Sequence, residues 1–143
     1  MSNKIVVVLS NPPLISQSPQ IVRVIEDAIA EFSPDLIFTH SRHDLHQDHQ
    51  VVYECTLRAA RNARTTILSY ESPSVTQDFI PVYFLDVDDY VDVKIAAIEK
   101  HWDQHKKPYM DPELIRSKLA VRGSQAKVKY AEGFEIVRMV SQI

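Results

Sequence analysis

The sequence predicts an α/β fold, a three-layer, Rossmann-like sandwich around a mainly parallel sheet. Three observations carry this expectation. An apolar, β-branched run from Lys4 to Leu9 opens the chain. A segment of helical period follows, and then a second apolar run, Leu36-Ile37-Phe38. Strand, helix and strand within about 35 residues is the spacing of a right-handed crossover that leaves its two strands parallel.

Each element has its own signal. Lys4 to Leu9 has no polar residue inside it, which predicts a strand buried on both faces, ended by Asn11-Pro12-Pro13. Ser18 reads as a helix N-cap with Pro19 at the first helical position. Ile21, Val22, Ile25, Ile29 and Phe32 then recur with the helical period, and Ser33-Pro34-Asp35 breaks the helix. Leu36 to Thr39 is the second strand. Gln50 to Ala63 is the next helix, with Arg58, Arg61 and Arg64 at its carboxyl end, where the helix dipole favours cations. Thr65 to Tyr70 is a third strand, and Glu71-Ser72-Pro73-Ser74 is the turn that leaves it. Tyr83 to Val87 reads as a fourth strand and Tyr90 to His105 as a helix. Another helix starts at Asp111-Pro112, and Phe134 to Val140 closes the chain as a strand. The expected sheet includes Ile5–Leu9, Leu36–Phe38 and Thr66–Ser69 in parallel, with helices on both faces.

Composition narrows the class. The chain has 143 residues, enough for a single domain with a core of its own, expected here to span residues 1–143. A net charge of −3 without a basic stripe argues against a nucleic-acid partner. No apolar run reaches ~18 residues, so no membrane span is expected. The single cysteine, Cys55, leaves no internal disulfide and fits a reducing compartment, so a cytoplasmic location is expected. Neither glycine, Gly123 or Gly133, follows an early strand, which disfavours a phosphate-cradling glycine loop.

The chemistry concentrates in Phe38-Thr39-His40-Ser41-Arg42-His43-Asp44-Leu45-His46-Gln47-Asp48-His49-Gln50. Four of the six histidines lie there with two aspartates, just past a strand and just before a helix. In parallel sheets the carboxyl ends of strands are where ligand sites form. Side chains three apart at a helix start share a face, so His46 and His49 are expected on one rim. Imidazole and carboxylate both suit zinc and related divalent metals. A polar loop would show the same residues, and His40 and His43 fit that plainer role better than a ligand role.

These residues resemble the zinc-dependent de-N-acetylases of the PIG-L/LmbE type. Thr39-His40 followed by Asp44-Leu45-His46-Gln47-Asp48-His49 matches that family's second signature, whose core reads H-x-D-H. Further matches follow in order: Tyr70-Glu71-Ser72-Pro73-Ser74, Phe79-x-Pro81 before Phe84-x-Asp86-Val87, Lys94 with His101-x-x-Gln104, Arg122-Gly123, and Tyr130 to Glu135. The resemblance implies an LmbE-like fold and a zinc-dependent amidohydrolase acting on an N-acyl amino sugar or glycoconjugate. It implies His49 as a metal ligand, His46 as the group that stabilises the oxyanion, and Asp48 as the carboxylate that orients a histidine. Asp44 and Glu71 are expected either to contact substrate or to shape the turns they stand in.

The sequence departs from the family at its start. Family members carry A-H-P-D-D after their first strand, with two zinc ligands and the general base. Here that position reads Leu9-Ser10-Asn11-Pro12-Pro13. The expectation is therefore an LmbE-like domain lacking its first βα units, with an incomplete zinc ligand set. A second reading stays open, that of a catalytically inactive relative or fragment serving as a binding or assembly module. An open sheet edge invites pairing with another chain, so a homo-oligomer is expected.

Overall fold

The computed structural model describes residues 4–8, 18–100 and 107–141. The expected strand end at Leu9, the Asn11-Pro12-Pro13 turn and the last residues of the Tyr90–His105 helix lie outside them. The fold class expected from the sequence is the one observed. Five strands form one mixed sheet in the order β1-β2-β3-β5-β4. They are β1 (Ile5–Val7), β2 (Leu36–Thr39), β3 (Thr66–Tyr70), β4 (Tyr83–Asp86) and β5 (Ala131–Arg138). The helices are α1 (Ser18–Phe32), α2 (Gln47–Ala59), α3 (Val91–Glu99) and α4 (Pro112–Ala126). The chain divides into two compact units, residues 1–82 with 134–143, and residues 83–133.

In the first unit β1 pairs parallel with β2, and β2 parallel with β3, with Leu36 opposite both Ile5 and Thr66. The carboxyl part of β5 runs antiparallel along β3, placing Glu135 opposite Ser69. α1 and α2 pack together through Ile25, Cys55 and Ala59, with Ile21, Val22 and Ile29 closing the contact. Beneath them Ile37, Ala60 and Ile67 form a second cluster that gathers Val6, Val8 and Val137. Cys55 is thus a small buried apolar residue of the helix pair.

β1 corrects one expectation. Val6 and Val8 pack into the core, but Ile5 and Val7 are 55% and 53% exposed. The strand is therefore not buried on both faces. It stands at the sheet edge, and α1 and α2 cover only its Val6/Val8 side.

The second unit is built on Val91, Ile95, Ile115 and Leu119, with Val87, Ile98 and Tyr130 packed against them. Asp111 caps α4 by accepting from the Glu113 and Leu114 amides, with Pro112 at the first helical position. Near its end a Cβ on Gly123 would lie 2.4 Å from the Lys129 carbonyl oxygen. That close return explains the glycine; the helix then stops where Lys127 adopts a left-handed φ of 65°. Glu132 is held by Lys94 Nζ at 2.5 Å.

Candidate metal centre at the end of the second strand

β2 is fixed from below by its last residue, Thr39, whose hydroxyl donates to Thr56 Oγ1 on α2 at 3.1 Å. The chain then turns through Ser41 to Leu45. Ser41 Oγ accepts the His43 amide at 3.0 Å and donates to Glu135 Oε2 at 2.8 Å, anchoring the turn to β5. A second loop, which follows β3, is zipped to the first. The Leu45 amide donates to the Ser74 carbonyl at 3.0 Å and the Thr76 amide to the His43 carbonyl at 2.9 Å, with a single β-bridge between Asp44 and Val75.

α2 starts at Gln47, three residues before its expected start. The reason is an unusual cap. The His46 side chain accepts the Asp48 amide through Nδ1 at 3.2 Å, the role that Ser, Thr, Asp or Asn ordinarily fills. The earlier start places Asp48 and His49 in the first helical turn. His49 then stacks on His46, with ring centroids 4.4 Å apart, and on His40, with centroids 3.8 Å apart. Tyr70 closes the far side of His40, its ring centroid 4.9 Å away.

Asp44 sits at the centre and is 1% exposed. Oδ1 accepts the His46 amide at 2.9 Å and the Ser74 hydroxyl at 2.6 Å. Oδ2 accepts the Ser72 hydroxyl and lies 2.8 Å from His49 Nδ1. Burial alone would raise the carboxyl's pKa, but the bonds from Ser72, Ser74, the His46 amide and His49 outweigh it and hold the group below the usual carboxylate value. His40 goes the other way. Burial first, then the neighbouring His49, depress its pKa to about 4, against the opposing pull of Asp44. Tyr70 is pushed up by burial and by the Asp44 charge.

The donor chemistry fits a metal. Both ring nitrogens of His40 are buried without a hydrogen-bond partner. Such groups are rare and costly unless something binds them, and a neutral imidazole is a ready metal ligand. His40, Asp44 and His49 each offer a ligand atom, and these atoms lie within 4.8 Å of one another. The cluster could hold a metal ion.

The structure therefore brings His46, His49 and Asp44 together. Asp48 is buried in the first turn of α2, and Glu71 is half-buried directly after β3. Sequence reasoning set His40 aside as a loop residue and did not see Ser72 and Ser74 as anchors for Asp44. The pairing of the two loops, 28 to 30 residues apart in sequence, is what joins them.

The buried imidazole–carboxylate cluster lies at the carboxyl end of a parallel strand, where α/β chains keep their ligand sites. Residues 6–60 match the family model described as PIG-L: GlcNAc-PI de-N-acetylase, so the chain is similar to that family over this stretch. Over 91 residues it is 35% identical to the uncharacterized deacetylase YaiS of Escherichia coli (strain K12), covering 59% of this chain and 49% of that one. Among solved structures, the 4-carboxy-2-hydroxymuconate hydratase GalB from Pseudomonas putida KT2440 aligns with a TM-score of 0.70 at 21% identity, over 94% of this chain and 65% of its own. The N,N'-diacetylchitobiose deacetylase from Pyrococcus horikoshii aligns with a TM-score of 0.68 at 19% identity, over 90% of this chain and 55% of its own. At these identities the solved structures establish the LmbE-like fold. The chain spans about half the length of the curated relative it matches. Among the described residues no helix is long and apolar enough to cross a membrane.

Proposed function

We propose that this chain carries the metal-binding half of a zinc-dependent de-N-acetylase site for an N-acyl amino sugar or glycoconjugate. The observation that carries the reading is the buried, unpartnered His40 stacked on His49 beside Asp44. His40 and His49 would hold the ion, and a divalent metal there supplies Lewis-acid polarisation of an amide carbonyl. His46, on the exposed rim, is the group that hydrogen-bonds a developing oxyanion, and Asp48 supports the acid–base work. Glu71, directly after β3, would contact substrate on this reading.

One observation favours a second reading. Ile5 and Val7 are exposed on the edge strand β1, and edges with apolar side chains pair readily with another chain. On that reading the chain is a binding or assembly module, and on either reading we propose a homo-oligomer.

Calorimetric zinc titration of the 143-residue chain, with N-acetylglucosamine hydrolysis followed in parallel, tests the first reading. One zinc per chain is expected, lost in His49→Ala. Because the cluster supplies few protein ligands, affinity and turnover of the isolated chain should be low. No zinc uptake by the wild-type chain would overturn the deacetylase reading and favour the module.

A further inference from the structure

We propose, resting on the reading of this cluster as a metal centre, that its hydrogen bonds lock His49 and His46 into opposite tautomers, with Asp44 as the positioning residue for His49. The argument is an inventory of lone pairs. An ionised carboxylate offers about four acceptor positions and no donor. Around Asp44 the Ser72 hydroxyl, the Ser74 hydroxyl and the His46 amide all face it as donors. The fourth contact, His49 Nδ1 at 2.8 Å, therefore has to be a donor too. That puts the His49 proton on Nδ1 and leaves the Nε2 lone pair for a metal. With its acceptor positions filled and 1% of its surface exposed, Asp44 itself is assigned to orientation, not to the substrate contact that the sequence left open.

His46 is set the opposite way. Its Nδ1 receives the Asp48 amide at 3.2 Å, so Nδ1 carries the lone pair and Nε2 the proton. The same amide bond caps α2, so the helix start and the tautomer are fixed by one contact. Two imidazoles stacked at 4.4 Å thus present different chemistry, a lone pair from His49 and an N–H from His46. An amide substrate needs both: a ligand that holds the Lewis acid, and a donor for the carbonyl oxygen as it gains charge. Asp44 ties the two together, because one oxygen holds the His46 backbone and the other the His49 ring.

The test is long-range proton–nitrogen correlation NMR of the uniformly labelled full chain at neutral pH in the presence of a chelator. His49 should carry its proton on Nδ1 and His46 on Nε2. The same tautomer at both rings, or the reverse assignment, would overturn the proposal, and this measurement needs no variant. In Asp44→Asn, His49 should shift toward the Nε2–H form while His46, still receiving the Asp48 amide, keeps its own. Zinc affinity of that variant should drop about 10- to 100-fold, the usual cost of losing a group that orients a metal-binding histidine. An unchanged His49 tautomer in Asp44→Asn would also overturn it. Zinc uptake by the wild type is read separately. Its absence, with the tautomers as assigned, would remove the metal reading of the site and uphold the assignment.

Discussion

Asp44 and Asp92 are both aspartates held by hydrogen bonds, in surroundings that differ in almost every respect. The Asp44 side chain has no exposed surface and is fixed by two hydroxyls, a backbone amide and an imidazole. The Asp92 side chain is 87% exposed and is met by Arg116 Nη2 at 2.6 Å, on the surface of the second unit. The shorter charged contact is the weaker determinant of structure. Water replaces Arg116 readily, whereas nothing replaces the partners of Asp44. Polar groups that shape a site are recognised by burial and by the number of satisfied donors, not by formal charge pairing.

The largest effect expected from this contrast follows Asp44→Ala. The change leaves two hydroxyls, an amide and an imidazole without their acceptor inside the first unit, and it unzips the contact between the loops after β2 and β3. Breaking a buried network by removing its central charge should cost about 3 kcal/mol or more. Urea denaturation of wild type and variant measures it. A loss as small as that of a surface substitution would show that the network does not organise the loops.

The next effect concerns pH and His40. Its folded-state pKa, about 4, lies below the ordinary value of 6.5, because burial and then His49 oppose its charge. The unfolded chain therefore binds a proton in a range where the folded chain does not. Stability is complete above the ordinary value and falls as pH drops from about 6.5 to about 4. The loss for metal-free protein should be on the order of 3 kcal/mol. Asp44, whose pKa is lowered, adds a further loss at still lower pH. Denaturation midpoints measured in chelator across this range should slope for the wild type and flatten in His40→Phe, which keeps a ring in the stack. Equal slopes for the two would contradict the burial argument.

The sequence made the sheet legible because parallel strands buried in a core leave continuous apolar runs, as Leu36-Ile37-Phe38 and Ile67-Leu68 do. It made the cluster legible because imidazoles are rare and four fall together. Two things stayed hidden for physical reasons. An apolar run looks the same whether one or both faces are covered, so the exposure of Ile5 and Val7 could not be read. Nor does any local signal link Asp44 to Ser72 and Ser74, since that link exists only once two loops meet. The three-residue difference in the start of α2 has the same origin. Histidine is outside the usual set of N-cap residues, so the cap at His46 is visible only as a contact.

The smallest effects belong to the second unit, where they can be graded by exposure. The Lys94 and Glu132 side chains are only 37% and 30% exposed, and their contact joins α3 to the start of β5 within that unit. Lys94→Met keeps most of the aliphatic stem against its neighbours and removes only the charge. It should cost at most about 1 kcal/mol, and the cost should shrink in high salt. Arg116→Gln removes a contact of similar length whose acceptor lies in open solvent. Its denaturation midpoint should coincide with that of the wild type at both low and high salt. Lys94→Met losing more than Arg116→Gln at low salt, with the gap closing as salt rises, is the pattern that exposure dictates. The opposite ranking would mean that contact length, not burial, sets the strength of these pairs, and the contrast drawn between Asp44 and Asp92 would fail with it.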